Sequence, residues 1–190
     1  EFKIVSVFDT TLNDYLVITG QDGVDFLNQI LTLINAVPNI FVILKEKKTR
    51  QFHRKFTRQY QSLVSQYEKL DQHPRCLSIG HHVSPAEIIA ISDLTISFPF
   101  TSPTYEAISA RQKGLWFDVN NKFHGTFYDQ VHGLVCHGYS ELEKRVKTLL
   151  FDTSLSAYDH YLDAQVKGKI EPFLDGEALE RFHRLMSERV

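Results

Sequence analysis

Residues Ser92–Asp118 read SDLTISFPFTSPTYEAISARQKGLWFD. An apolar strand, Leu94–Phe98, runs into the small and rigid residues Thr101-Ser102-Pro103-Thr104. A helical segment carrying Glu106 follows, and Leu115–Phe117 is a second strand-like run. Strand, helix and strand in so short a span suit a parallel crossover.

The same alternation extends in both directions. Upstream, Ile4–Phe8 is an apolar strand followed by a polar loop, Asp9 to Asp22. Phe26, Leu27, Ile30, Leu31 and Ile34 then share one helix face. Ile40–Leu44 is an unbroken apolar run, as expected of a strand covered on both faces. Phe52, Phe56, Tyr60, Leu63, Val64 and Tyr67 repeat at helical spacing, and Cys76–Ile79 is a short third strand. Ser84-Pro85-Ala86-Glu87 has the composition of a capping box with proline at the first helical position. Downstream, Leu134–Cys136 is a sixth strand, and Leu142, Val146, Leu149 and Leu150 mark one side of a helix. About six strand–helix alternations predict an α/β, Rossmann-like doubly wound fold. Its six-stranded parallel sheet carries helices on both faces, joined by right-handed crossovers.

The expected organisation is one such domain over residues 1–151 and a C-terminal helical tail over 152–190. The tail is strand-free, with Tyr158, Tyr161 and Phe173 and a final amphipathic helix of Ala178, Leu179, Phe182, Leu185 and Met186. It is expected to pack on the domain or on an N-terminal domain outside this chain. The chain opens directly on a strand and is expected to be the C-terminal part of a longer protein.

Composition narrows the function classes. The chain has 190 residues, 43% hydrophobic and 23% charged, enough for one core. A net charge of -2 gives no global field for nucleic acid. Two cysteines, Cys76 and Cys136, are read as reduced thiols of a cytoplasmic protein. No apolar run approaches the roughly 20 residues that span a bilayer. Locally, Lys45 to Arg58 holds seven Lys/Arg against Glu46, a patch of +6. Most such runs are a solvated helix face; a peripheral contact with anionic lipid at the inner membrane face is the functional counterpart.

In open parallel sheets, ligands bind beyond the carboxyl ends of the strands, so the loops Asp9–Asp14, Lys45–Arg50, Gly80–Ser84, Pro99–Glu106 and Asp118–Asp129 are the ones that matter. The first carries no G-x-G-x-x-G, and neither a P-loop nor a G-x-S-x-G elbow occurs. Nine histidines, His81, His82, His132 and His137 among them, show no zinc-ligand spacing, and no metal is expected. In Ser102-Pro103-Thr104-Tyr105-Glu106, Ser102 suits N-cap and Pro103 the first helical position, which puts Glu106 one residue past the capping-box position. The amides of Thr104 and Tyr105, with the hydroxyls of Thr101, Ser102 and Thr104, then suit an anion. Glu106 suits a ribose diol. The same spacing fits a well-capped helix with a solvated acid, and spacing alone does not choose between the two.

Residues 92–118 also resemble the donor-nucleotide motif of GT-B glycosyltransferases. Asp93, the Thr101–Thr104 cluster, Glu106-Ala107 and Gly114 fall on its positions. FVILKEKK (41–48), GLVCHGYSELEKRVKTLL (133–150) and FLDGEALERFHRLM (173–186) resemble segments of transferases that build bacterial surface polysaccharide. Pro103 replaces a small residue of that motif, and Gln112-Lys113 stands where G-x-P is usual.

The resemblance implies the donor-binding half of a metal-independent glycosyltransferase with no cofactor. A nucleotide-sugar would be the donor substrate and a nucleoside diphosphate the product. The acceptor would be a glycan, a lipid-linked sugar or a protein. Glu106 would hold the ribose, Thr101, Ser102 and Thr104 would line the phosphates, and Lys45, with Lys47 as substitute, would neutralise the diphosphate. Lys45 and Glu106 are therefore the residues implied in catalysis. His81 or His82 would lie near the base. The catalytic base would come from the N-terminal domain. A nucleotide-sugar epimerase on the same scaffold and a non-catalytic nucleotide-binding module are the alternatives.

Overall fold

The structure, a computed structural model, describes residues 1–170 and 173–187. Along the chain run β1 (Lys3–Phe8), α1 (Gly20–Ala36), β2 (Ile40–Lys45), α2 (Arg50–His53), α3 (Tyr60–Asp71), β3 (Cys76–Ile79), α4 (Pro85–Ala90), β4 (Leu94–Ser97), α5 (Ser102–Ser109), β5 (Gly114–Asp118), β6 (Val135–His137), α6 (Tyr139–Lys147), α7 (Leu155–Tyr161) and α8 (Ala178–Ser187). Every strand pairing is parallel, in the order β3-β2-β1-β4-β5-β6. The expected doubly wound α/β fold is therefore the observed one. The strand order reverses between β1 and β4, where loops leaving neighbouring strands turn to opposite faces and leave a crevice.

Alternation along the strands builds two cores. Val5, Val7, Val42 and Leu44 enter the larger one with Phe26, Ile30 and Ile34 of α1 and Leu63, Tyr67 and Leu70 of α3. Their neighbours Phe8 and Ile43 join a smaller core on the other face, with Ile88 and Ile89 of α4 and Ala107 of α5. A side-chain period of two is what feeds both faces from one strand, and it explains why these strands read as continuous apolar runs. Gly114 lets β5 approach α5 closely, since a Cβ there would lie 3.2 Å from Cβ of Ala107.

Local details depart from the sequence expectations. The helical stripe from Phe52 to Tyr67 is broken: α2 ends at His53 and α3 begins at Tyr60. Asp14 accounts for the break, because its carboxylate accepts from the backbone N–H groups of Arg58 and Gly20 and so competes with helical bonds. Ser84 is the N-cap of α4 and Pro85 its first residue, but Ser84 makes no capping hydrogen bond. The reciprocal capping box lies instead at α1, between Thr19 and Asp22.

The start of the tail shares the main core through Tyr158, Leu162, Val166 and Leu174. Tyr158 accepts from Gly114 N–H at 3.0 Å, and Arg111 pairs with Asp159 and Asp163. By contrast, α8 leaves Leu179, Phe182, Leu185 and Met186 exposed. Residues 171–172 and 188–190 of the expected tail lie outside the described residues. No helix among those described is long and apolar enough to cross a membrane.

Candidate functional site

The turn from β4 into α5 is built around a strained residue. Phe100 has φ +62°, a backbone region that a bulky side chain rarely occupies. Packing compensates. Its ring stacks on Tyr128 with centroids 4.1 Å apart and meets Trp116 and Phe123 edge-on. Trp116, fully buried, donates from Nε1 to the Thr101 carbonyl at 3.1 Å. Tyr105 closes the cage, edge-on to Trp116 and hydrogen-bonded to Tyr128. Holding a non-glycine residue in the left-handed region costs on the order of 1–3 kcal/mol. Such strain persists only where surrounding contacts over-determine it, and here they fix the direction in which α5 begins.

The helix begins one residue earlier than expected. Thr101, not Ser102, is the N-cap, and its hydroxyl donates to the Phe98 carbonyl at 2.8 Å instead of capping. Ser102 is the first helical residue and exposed, Pro103 the second, and Glu106, also exposed, the fifth. The first amides of a helix lack intrahelical acceptors. Pro103 has no N–H, and of Ser102 and Thr104 only Ser102 is exposed. The Thr104 hydroxyl departs from expectation: it is buried, 2.7 Å from Ser97 Oγ and 2.8 Å from the Leu115 carbonyl. It ties α5 to β4 and β5, and with the whole residue buried Thr104 serves as an anchor of the turn.

The other expected residues gather across the switch point, at the ends of β2 and β3. Lys45 is buried, with Nζ 3.3 Å from the Glu46 carbonyl and 3.4 Å from that of His81. Burial holds its pKa below the ordinary lysine value, although the Asp9 charge works against that. Lys45 is thus a brace between strand ends. Lys47 is exposed and has its side chain available, while its backbone N–H donates to Asp9. His81 and His82 are exposed with their rings edge-on. Asp9, the first residue beyond β1, accepts from Tyr67 and Lys47; burial pushes its pKa up to about 7.

At the switch point itself the crevice between Ile18, Asp22, Phe98, Pro99 and Lys122 is only a slit of about 10 Å³. The segment after β5 closes it. Lys122 Nζ lies 2.6 Å from Asp22 Oδ2, and Asn120 donates to both Asp22 and Asp25. Burial raises the Asp22 pKa, but those bonds outweigh it and the net shift is downward. Asp118 anchors the segment by accepting from the N–H groups of Lys122 and Phe123. A cavity of about 610 Å³ lies instead beside β6 and α6, lined by His124, Asp129, His137, Glu141 and Arg145.

Structure therefore brings together Thr101, Ser102, Thr104 and Glu106 as one group, and Lys45, Lys47 and His81 as another. Sequence reasoning missed Trp116 and Tyr128, which shape the first group, and Asp9, which fixes the second. The available signals were slight: Trp116 is the chain's single tryptophan, and Asp9 directly follows a strand.

Comparison with known proteins places this geometry. A family model described as "Polysaccharide biosynthesis PFTS motif protein" matches residues 1–146. The letters PFTS occur once in the chain, at Pro99-Phe100-Thr101-Ser102, the strained turn itself. No curated protein matches the chain. Among solved structures, a UDP-forming α,α-trehalose-phosphate synthase from Burkholderia xenovorans aligns with TM-score 0.63 at 14% identity, over 99% of this chain and 44% of that one. The MnaA–UDP structure from S. aureus aligns with TM-score 0.59 at 15% identity, over 99% and 45%. A UDP-GlcNAc 2-epimerase from Neisseria meningitidis bound to UDP-GlcNAc gives 0.58 at 11%, over 98% and 45%. The chain thus spans less than half the length of these proteins, and the fold is that of a GT-B glycosyltransferase-like domain.

Proposed function

The chain belongs to the polysaccharide biosynthesis PFTS motif family, and from that membership we propose that it is the donor-binding half of a glycosyltransferase that uses a nucleotide-sugar. The observation that carries the reading is the PFTS turn. A strained, aromatic-caged backbone presents the unfinished N-terminus of α5 beside the switch point, with Glu106 exposed just along the helix. A helix start with open amides and a positive dipole end suits a diphosphate. Ser102, the exposed first residue of the helix, adds a hydroxyl and its N–H donor. Glu106 accepts from a ribose diol. Lys47, rather than the buried Lys45, supplies the cation for the leaving diphosphate. His81 and His82 flank the base.

Mechanistically, such a site stabilises charge as the glycosidic bond lengthens, through donors already aimed at the diphosphate. We assign the acceptor site and the catalytic base to a second domain, because the GT-B chains with this fold are more than twice as long. The acceptor is then a glycan, a lipid-linked sugar or a protein. Epimerases share the fold at similar distance, and their likeness carries the fold alone.

UDP is the probe of choice, since UDP figures in the names of the solved relatives. Amide chemical-shift mapping with UDP should perturb residues 98–106 first, with the 45–48 and 80–82 loops next. No binding at millimolar UDP and other nucleoside diphosphates, or shifts confined to the cavity beside β6, would overturn the reading. Product analysis with a UDP-sugar separates transfer from epimerisation in a protein that carries both domains.

A further inference from the structure

At the carboxyl end of β6, away from the PFTS turn, His137 is held by carboxylates at both ring nitrogens. Nδ1 lies 2.9 Å from Asp118 Oδ2 and Nε2 lies 2.9 Å from Asp129 Oδ1. The second oxygen of Asp129 faces another imidazole, with His124 Nδ1 at 3.7 Å. One donor atom from each of His124, Asp129 and His137 falls within 4.8 Å of the others. We propose that these three residues form a binding site for one divalent transition-metal ion of the zinc type, with Asp118 as the carboxylate that orients His137.

Geometry and chemistry support the assignment. Zinc bonds of about 2.0–2.2 Å place tetrahedral ligand atoms roughly 3.3 Å apart; the three ligand atoms already lie within 4.8 Å of one another, with one imidazole facing each oxygen of Asp129. Two imidazoles and one carboxylate suit zinc rather than magnesium or calcium, which prefer oxygen ligands. A metal-bound histidine commonly donates its other N–H to a carboxylate, which fixes its tautomer and orientation. Asp118 fits that role, being itself fixed by the N–H groups of Lys122 and Phe123. On binding, His137 Nε2 gives up its proton to solvent and keeps the Nδ1 proton toward Asp118.

One adjustment is required. The His124 ring lies flat on that of His137, with centroids 4.1 Å apart and planes 13° from parallel. Parallel rings cannot aim their lone pairs at one ion, so His124 must turn. Its side chain is 71% exposed, and the stack and the 3.7 Å contact with Asp129 are what oppose that rotation. The three residues also line the cavity beside β6, which leaves room for a fourth ligand, a water or a substrate group. Such an ion would tie the segment after β5, which closes the switch-point slit, to the sheet edge.

The test is titration of the metal-free chain with ZnCl2, read by equilibrium dialysis, together with the visible spectrum of the Co2+ form. Expected is one saturable site at micromolar concentration or tighter, with Co2+ absorption of tetrahedral intensity and no competition from excess Mg2+. His124→Ala should weaken binding at least tenfold, as should Asp129→Asn, and Asp118→Asn should weaken it about 10–100-fold. His124→Ala removes an exposed ring, so an unchanged thermal melt will show that it still folds. Three outcomes overturn the proposal: no saturable binding, affinity that survives His124→Ala, or affinity that disappears on replacing His81 and His82 instead.

Discussion

Two helices begin beside the switch point, and they begin in opposite ways. At α1 the start is finished. Thr19 and Asp22 cap each other reciprocally, Lys122 and Asn120 bind Asp22, and Gly20 N–H is taken by Asp14. Gly20 is itself demanded there, since a Cβ would fall 1.6 Å from Thr57 Oγ1. At α5 the start is unfinished. Thr101 turns its hydroxyl away, Ser102 is exposed, and Phe100 holds a strained backbone. Both sequences offer capping residues, so propensity does not explain the contrast. A helix start that satisfies its own donors has nothing left for a ligand. The open one is where a local rule is broken under constraint, as expected of a functional position.

The comparison can be broken or sharpened by experiment, and the largest effect is expected at the strand that leads into the closed helix. Asp9, just beyond β1, has its pKa raised from 3.8 to about 7 by burial. A group whose folded pKa is raised contributes stability that is complete below its unfolded value and lost as pH rises through the folded one. Stability should therefore fall between about pH 4 and pH 7. At about 1.4 kcal/mol per unit the loss reaches ~4 kcal/mol. Asp9→Asn should remove that loss. Urea denaturation of both proteins at pH 5 and pH 8 checks this, and parallel pH dependences would refute it.

At the open helix, Glu106→Ala should weaken UDP binding by about 1.5–3 kcal/mol, the value of hydrogen bonds to a charged group. That is roughly 10- to 150-fold. Because Glu106 is exposed, the melting temperature should hold. Calorimetry beside a thermal melt decides between a ribose ligand and a solvated helix acid. Unchanged affinity with lowered stability would make Glu106 structural.

At the closed helix, Asp22→Ala should do the reverse. Loss of the cap and of the Lys122 partner should cost about 1–2 kcal/mol of stability. UDP affinity should stay within twofold, and a large loss would mean that α1 shares the nucleotide.

The smallest effect tests whether the open end can be finished. Thr101→Asp places a better cap and a negative charge at the start of α5, which should change stability by no more than about 1 kcal/mol. The same charge should repel the diphosphate and lower UDP affinity several-fold. Stronger binding of UDP by this variant would argue against an anion at that helix.

Much of this molecule was legible in one dimension. Strand positions, the parallel sheet and the place of the 101–106 turn followed from apolar period and turn residues, because burial on both faces forces continuous apolar strands. Thr101, Ser102 and Glu106 could be singled out because capping chemistry operates within a few residues. The rest depends on partners far apart in sequence. The Thr104 hydroxyl looked available until β5 supplied the Leu115 carbonyl. Lys45 looked exposed in the sequence, but the fold buries it and sets its ammonium 3.4 Å from the His81 carbonyl. The helix expected through Phe56 broke because Asp14, 44 positions from Arg58, captures its N–H. The cage of Phe100, Trp116 and Tyr128, the clasp of Lys122 on Asp22 and the cluster around His137 have no local signature. Sequence determined which segments fold and which loops lie beyond the strand ends, since those depend on local period and chain geometry. Only the tertiary structure decided which polar groups remain uncommitted, because a donor or acceptor is free only when every neighbour brought by the fold has been counted.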